Sequence, residues 1–319
     1  MKNFWQKLSK PILALAPMAG VTDSAFRQMC KKGGADVLYT EFVSTDAIVY
    51  ESKKTFEMLK FSKMEKPVVV QIFGKNPDHY FKSVKVLSEL GYDGVDINFG
   101  CPAYKVVKSG GGVKLMLNLD LVKELVQAAC EAAKIPVSIK VRASITDKAT
   151  QAKITANDLL EKIKGLPIAA IMVHGRSFER PFDGQVDIEA ITKVKRVFSG
   201  ITLANGGVYS PDAGKALLVQ TQADGLGIAR GAWGRPWIFK QVKDFLRTGQ
   251  YKIVDWPEIK KQMLEHAERA LQSKGEHGLV ELRKQLAWYV KGRLNAAEMR
   301  AKLVRVNTLL EVQDILKKY

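Results

Sequence analysis

The chain has 319 residues, of which 46% are hydrophobic and 26% charged, a balance that supplies enough apolar side chain for a sizeable core and excludes a disordered chain. No run approaches the roughly 18 to 20 uninterrupted apolar residues of a membrane span, and the stretch from Met1 to Lys10 lacks the apolar segment of a secretory signal, so a cytoplasmic protein is expected. A formal net charge of +17 favours an anionic macromolecular partner, nucleic acid above all, and three cysteines without paired or CxxC spacing argue against a disulfide framework or zinc.

From Ile12 to about Trp237 short apolar runs alternate with helical patterns. The runs Ile12–Ala16, Val37–Thr40, Val68–Phe73, Gly94–Asn98, Val137–Val141, Ala170–His174, Thr202–Ala204 and Gly225–Ile228 read as strands. Amphipathic stretches such as His79–Leu90, Leu121–Lys134 and Ile188–Phe198 are long enough for right-handed crossovers between parallel neighbours. Eight such units predict an α/β fold, a closed (β/α)8 TIM barrel. After Pro236 strands give way to helical periodicity, with Pro257 placed as a first-turn proline. The expected division is a catalytic barrel over residues 1–248 and a smaller C-terminal helical domain over 249–319. Residues 237–319 hold 17 Lys/Arg against 10 Asp/Glu, while residues 1–236 hold 33 against 23, so the basic excess is denser in the tail.

Gln71, Asn98, Lys140, His174 and Asn205 all stand at or just after the C-terminal ends of predicted strands. In a barrel those positions converge on the face that carries the active site. Any one of them has a bland reading, a strand-ending polar group satisfied by loop backbone. Five in register weigh against it. The seventh and eighth strand ends carry Asn205-Gly206-Gly207 and Gly227-Ile228-Ala229-Arg230-Gly231, each before a potential helix, the usual place for a phosphate in this fold. A GxxxxGK[ST] loop is absent, and Gly110-Gly111-Gly112 lacks the spacing and strand context of a dinucleotide fold. Lys140 lies in the apolar run Val137-Ser138-Ile139-Lys140-Val141, where an unpaired charge is costly unless it serves a ligand. Cys101, in Asn98-Phe99-Gly100-Cys101-Pro102, puts a thiol at the same face, protonated at neutral pH and able to act as an acid.

Five motifs, in order along nearly the whole chain, resemble the tRNA-dihydrouridine synthases: Ala16-Pro17-Met18-Ala19-Gly20-Val21-Thr22-Asp23, Asp96-Ile97-Asn98-Phe99-Gly100-Cys101-Pro102, His174-Gly175-Arg176, Ala204-Asn205-Gly206-Gly207 and Gly234-Arg235-Pro236-Trp237-Ile238-Phe239. The bacterial DusB-type branch is the nearest match, including Arg283-Lys284-Gln285-Leu286-Ala287-Trp288-Tyr289 in the tail. The resemblance implies FMN as cofactor and NADPH (or NADH) as reductant. It implies that Pro17, Met18 and Ala19 line the flavin, with Gln71, Lys140 and His174 in its ring shell. Asn205, Gly206, Gly207, Ala229 and Arg230 match the phosphate segments, Asn98 and Arg176 the substrate side, and Cys101 the catalytic acid. Two departures are Asn-Gly-Gly where many members have Asn-Gly-Asp, and Ala229-Arg230 where Gly-Arg is usual.

The resemblance thus implies reduction of the C5=C6 bond of a uridine taken out of its stack in tRNA, hydride passing from flavin N5 to C6 and a proton from Cys101 to C5. The expected partners are tRNA and the nicotinamide cofactor, with no metal, no membrane and no obligatory protein partner. A competing enzyme reading is a dihydroorotate-dehydrogenase-like barrel acting on a free pyrimidine; a competing class is a non-enzymatic RNA binder. Lys284, Trp288 and Lys291 recur at helical spacing and form either a basic, aromatic RNA face or a solvated surface with Trp288 docked on the barrel.

Overall fold

A computed structural model of the chain describes residues 3–319; Met1 and Lys2, part of the N-terminal stretch read above, lie outside them. Ten strands form: β1 (Ile12–Leu15), β2 (Val37–Ser44), β3 (Val68–Phe73), β4 (Gly94–Phe99), β5 (Val137–Arg142), β6 (Ser144–Thr146), β7 (Lys153–Thr155), β8 (Ile168–His174), β9 (Ile201–Asn205) and β10 (Gly225–Ile228). Eight close into a barrel in the order β1-β2-β3-β4-β5-β8-β9-β10, with β10 pairing back to β1. Every pairing within it is parallel. These are the eight predicted runs. The β6–β7 hairpin is an antiparallel insertion after β5 that the sequence reading did not anticipate. β2 also runs further than predicted, because the register shifts between Tyr39 and Phe42 and the apolar alternation breaks at that bulge.

Closure makes the two faces of each strand unequal. Ile12, Ala14, Val37, Tyr39, Val69, Ala170, Met172 and Leu203 form an inner cluster, which Trp5 of the Phe4–Lys7 turn joins. Leu13, Leu15, Leu38, Val68, Val70, Val95 and Ile97 have the opposite parity and pack in the outer core with the helices. The predicted helices appear as Pro77–Glu89, Leu119–Ala132 and Ile188–Val197, each set by an Asx cap that accepts a first-turn N–H: Asn76, Asn118 and Asp187.

Beyond the Ile238–Thr248 helix come helices at Trp256–Lys274, Glu276–Tyr289, Ala296–Leu303 and Leu309–Lys318. Asp255 caps the first of these and Pro257 sits in its first turn. Ile259, Met263, Leu279, Leu282, Leu286 and Leu303 build a second apolar core, which takes in Trp237 and Ala25 from the barrel side. Trp288 stacks on Trp233, ring centroids 4.4 Å apart and planes 8° from parallel. The mixed face drawn from spacing is therefore corrected in part: Trp288 docks on the barrel, and Lys291 lies past the helix end at Tyr289. No helix among the described residues is long and apolar enough to cross a membrane.

Gly234 shows how tightly the helices are docked. It has φ +63°, and a Cβ there would lie 2.5 Å from the Trp288 carbonyl carbon. Gly234→Ala is predicted to destabilise the protein by about 2–4 kcal/mol, combining left-handed strain with a backbone overlap that only undocking relieves. A denaturant titration of the two proteins measures the difference.

Candidate active site

The side-chain period of two explains why polar residues meet at one end of the barrel. Gln71 follows Val69 by two, Asn98 follows Asp96, Lys140 follows Ser138, His174 follows Met172 and Asn205 follows Leu203. Each therefore points inward, at the last turn of the pleat before its loop. All the site residues singled out in the sequence line one cavity of about 560 Å³: Pro17, Met18, Ala19, Gln71, Asn98, Cys101, Lys140, His174, Arg176, Asn205, Gly206, Gly207, Ala229 and Arg230.

A buried chain of hydrogen bonds crosses one wall. Ser138 Oγ donates to Asp96 Oδ1 at 2.6 Å, and Gln71 Nε2 donates to Asp96 Oδ2 at 2.7 Å. Asn98 Nδ2 donates to Gln71 Oε1 at 2.9 Å. The Asn98 Oδ1 then accepts the backbone N–H groups of Gly100 and Cys101, at 3.0 and 2.8 Å, and so holds the loop that carries the thiol. On the other wall Lys140 Nζ donates to Asn205 Oδ1 at 3.2 Å, and Asn205 Nδ2 donates to the Gly227 carbonyl at 2.6 Å.

The charge in the cavity is predominantly positive. Loss of solvent inside the barrel lowers the Lys140 pKa to about 8, with Arg142 adding to the effect and Asp96 opposing it. Burial, and then the cations Lys140, Arg142, Arg176 and Arg230, hold His174 down to about 2, so its imidazole is neutral at physiological pH. Asp96 is raised to about 6 by burial, against the hydrogen bonds from Gln71 and Ser138. Burial also raises the Cys101 thiol, against the pull of the Ala103 N–H and of Lys140.

Three arginines tie down the loops after β4 and β8 by their carbonyls. Arg142 Nε holds Gly100 O at 2.8 Å while its Nη1 reaches Ser177 and Pro181; Arg176 Nε holds Gly184 O at 3.0 Å; and Arg230 Nη2 holds Phe182 O at 2.9 Å. The Arg230 guanidinium also lies 5.7 Å from the centres of both the Phe182 and Tyr209 rings. Sequence reasoning missed Arg142, although it is two residues after Lys140 and so shares its inward parity. It missed Phe182, Tyr209 and Trp233 as well, which come from irregular segments that no periodicity marks.

The dihydrouridine synthase (Dus) family model matches residues 14–318. The chain belongs to the dihydrouridine synthase family. It is 36% identical over 296 residues to tRNA-dihydrouridine synthase B of Pseudomonas aeruginosa, covering 92% of this chain and 88% of the relative. It is 34% identical to a probable tRNA-dihydrouridine synthase of Rickettsia bellii, covering 97% and 94%. Among solved structures, histamine dehydrogenase from Rhizobium sp. 4-9 superposes with a TM-score of 0.55 at 12% identity, over 81% of this chain and 48% of that one, a likeness of fold. Membership makes the chain an oxidoreductase, since dihydrouridine is uridine with its C5=C6 bond reduced. It also sets aside both the free-pyrimidine barrel and the non-enzymatic RNA binder. The relatives named as B-type fit the branch expected from the tail motif.

Burial, by raising the Cys101 pKa above the ordinary thiol value, favours the protonated thiol at physiological pH. Its alkylation by iodoacetamide, followed on the Cys101 peptide by mass spectrometry, is predicted to be slow at pH 7.5 and still rising at pH 9. A rate that levels off below pH 8 would show a thiolate instead.

Proposed function

We propose that this enzyme reduces specific uridines in tRNA, with FMN in the barrel mouth and NADPH (or NADH) as reductant. The observation that carries the reading is the gathering of the Cys101 thiol, the Lys140 amine and the Gly206-Gly207 turn around one cavity.

The cradle suits a phosphate. Gly206 and Gly207 have φ of +117° and +74°, and a Cβ on Gly206 would come within 3.0 Å of His174 Cδ2. Their N–H groups, and that of Arg230, donate to no protein acceptor among the described residues. The Asn-Gly-Gly and Ala-Arg departures leave these backbone donors in place. Asn205, Gly206, Gly207, Ala229 and Arg230 would thus hold the FMN phosphate. Pro17, Met18 and Ala19 would flank the ring, with Gln71, Lys140 and the neutral His174 as its polar neighbours. When bound, FMN supplies the hydride, from its N5 to uracil C6, after reduction by the nicotinamide cofactor.

The protein's own residues do the rest. Lys140 has one protein acceptor for three donors, so it can place a cation against negative charge that develops on a ring. Cys101 Sγ holds the proton that uracil C5 receives. Asn98 keeps one amide N–H free, since its other groups are engaged by Gln71 and the loop, and with Arg176 it would orient the pyrimidine. A base reaches this depth only when flipped out of its stack. Residues 1–248 form the catalytic unit in this reading, and 249–319 the helical unit that grips tRNA. Lys284 and Lys291 are exposed there, whereas Arg283 is committed to Val306 O and Asn307.

Cys101→Ala is predicted to keep FMN and to oxidise NADPH normally while tRNA reduction falls by about 10²- to 10⁴-fold, the range for a lost general acid. Stopped-flow reduction and single-turnover reoxidation by unmodified tRNA separate the two halves; a normal tRNA-dependent step would refute the assignment. Deleting the tail would uncover Trp237 and Ala25, so charge reversal is the cleaner probe of RNA binding. Lys284→Glu with Lys291→Glu is predicted to weaken tRNA binding, lower its salt dependence and leave flavin content unchanged. Filter binding at several salt concentrations checks this, and equal affinity would remove these lysines from the interface.

A further inference from the structure

Asp96 has no assigned role in the reading above: no carboxylate lines the cavity, and Asp96 lies completely buried behind Gln71, to which it is hydrogen-bonded. Its surroundings are unusual. Gln71, Asn98 and Ser138, its partners along the chain of hydrogen bonds, are each no more than 4% exposed, so the groups they turn toward one another are satisfied within the chain and a wrong turn leaves a buried donor or acceptor poorly matched. An ionised carboxylate only accepts. Both Ser138 Oγ and Gln71 Nε2 must then donate to it, which aims Gln71 Oε1 at Asn98. That oxygen fixes Asn98 Nδ2 as the donor and turns Asn98 Oδ1 toward the Gly100 and Cys101 N–H groups.

We propose that Asp96 is a positioning residue, which sets the direction of both amides and thereby holds the Cys101 thiol in place for proton delivery. The proposal rests on Cys101 being the acid of the reaction. Without an acceptor-only group at the start of the chain, a second arrangement becomes available, in which Gln71 and Asn98 both flip. The Asn98 amide nitrogen would then face two backbone N–H groups, donor against donor, and the loop would be released. A buried carboxylate is a costly way to fix an orientation. Its burial works against ionisation and is offset by Gln71, Ser138 and Lys140 of β5. The other titratable neighbours, Tyr39 of β2 and Tyr80 of the Pro77–Glu89 helix, are kept neutral by their own burial.

The same polarity decides what the site presents. Gln71 and Asn98 each have an amide N–H left over, so they offer donors to ring carbonyls and ring nitrogens. Asp96→Asn keeps the shape while removing the constraint. In the full-length protein, Cys101 alkylation at fixed pH is expected to rise by about 10-fold or more as the loop is released. Adding Gln71→Glu moves the acceptor-only group one step along the chain, where it again fixes Asn98, and alkylation is expected to return toward the wild-type rate. Unchanged alkylation in folded Asp96→Asn overturns the proposal, as does failure of the second substitution to restore it. If Asp96→Asn does not fold, Ser138→Ala tests the same link. It takes away one donor that keeps Asp96 ionised, so an acid limb of the tRNA-dependent rate set by Asp96 should move to higher pH than in the wild type; a limb that stays put also overturns it. Alkylation needs neither tRNA nor reductant. It therefore judges the relay separately from the function, which would fall only if the wild type made no dihydrouridine.

Discussion

Closure of eight parallel strands is the constraint on which the rest depends. Once β10 pairs with β1 there is no free edge, and every second residue on each strand must face an interior that side chains fill. In the lower layers that position is taken by Ile12, Val37, Val69, Met172 and Leu203, and the barrel is a core. In the top layer it is taken by Gln71, Asn98, Lys140, His174 and Asn205, and the barrel becomes a site. On β3, β8 and β9 the change from core to site occurs within two residues, from Val69 to Gln71, Met172 to His174 and Leu203 to Asn205, which is why the polar groups are buried and close together without interrupting the fold.

Enclosure also governs the electrostatics. Lys140, Arg142, Arg176 and Arg230 surround a neutral His174, with Asp96 set against Lys140 and Glu179 against Arg142. A cavity with this balance suits a ligand that carries phosphate and gains negative charge during reaction. Buried arginines are tolerated because each is spent on main-chain carbonyls of the Gly100 and Ser177–Gly184 segments. The charge that attracts the ligand thus also orders the rim. On the outside, the second core and the Trp233–Trp288 stack hold the helical tail against the same face, so that Lys284 reaches the loop after β1, its Nζ lying 3.0 Å from where a Gly20 Cβ would be.

Much of this was legible in the sequence, because strand periodicity is a local property and parity follows from it. The apolar runs located all eight barrel strands, and their last polar residues located the mouth. What escaped was set by three-dimensional context. The β6–β7 hairpin is two runs of three residues, too short for alternation to register. Asp96 was visible within a motif, but its importance lies in the Ser138 and Gln71 side chains on neighbouring strands, 42 and 25 residues away in sequence. Trp288 had two readings at the level of spacing, and only the position of Trp233 decides between them.

Reduction of uridine within tRNA at this barrel mouth can be tested directly. The most direct test reconstitutes the purified protein with FMN and NADPH, adds an unmodified tRNA transcript, and digests the product for nucleoside mass analysis. The expected product is a uridine that has gained two hydrogens, only when protein, flavin and reductant are all present. Reduction of free uracil or orotate, with every uridine of the tRNA left unchanged, would contradict it.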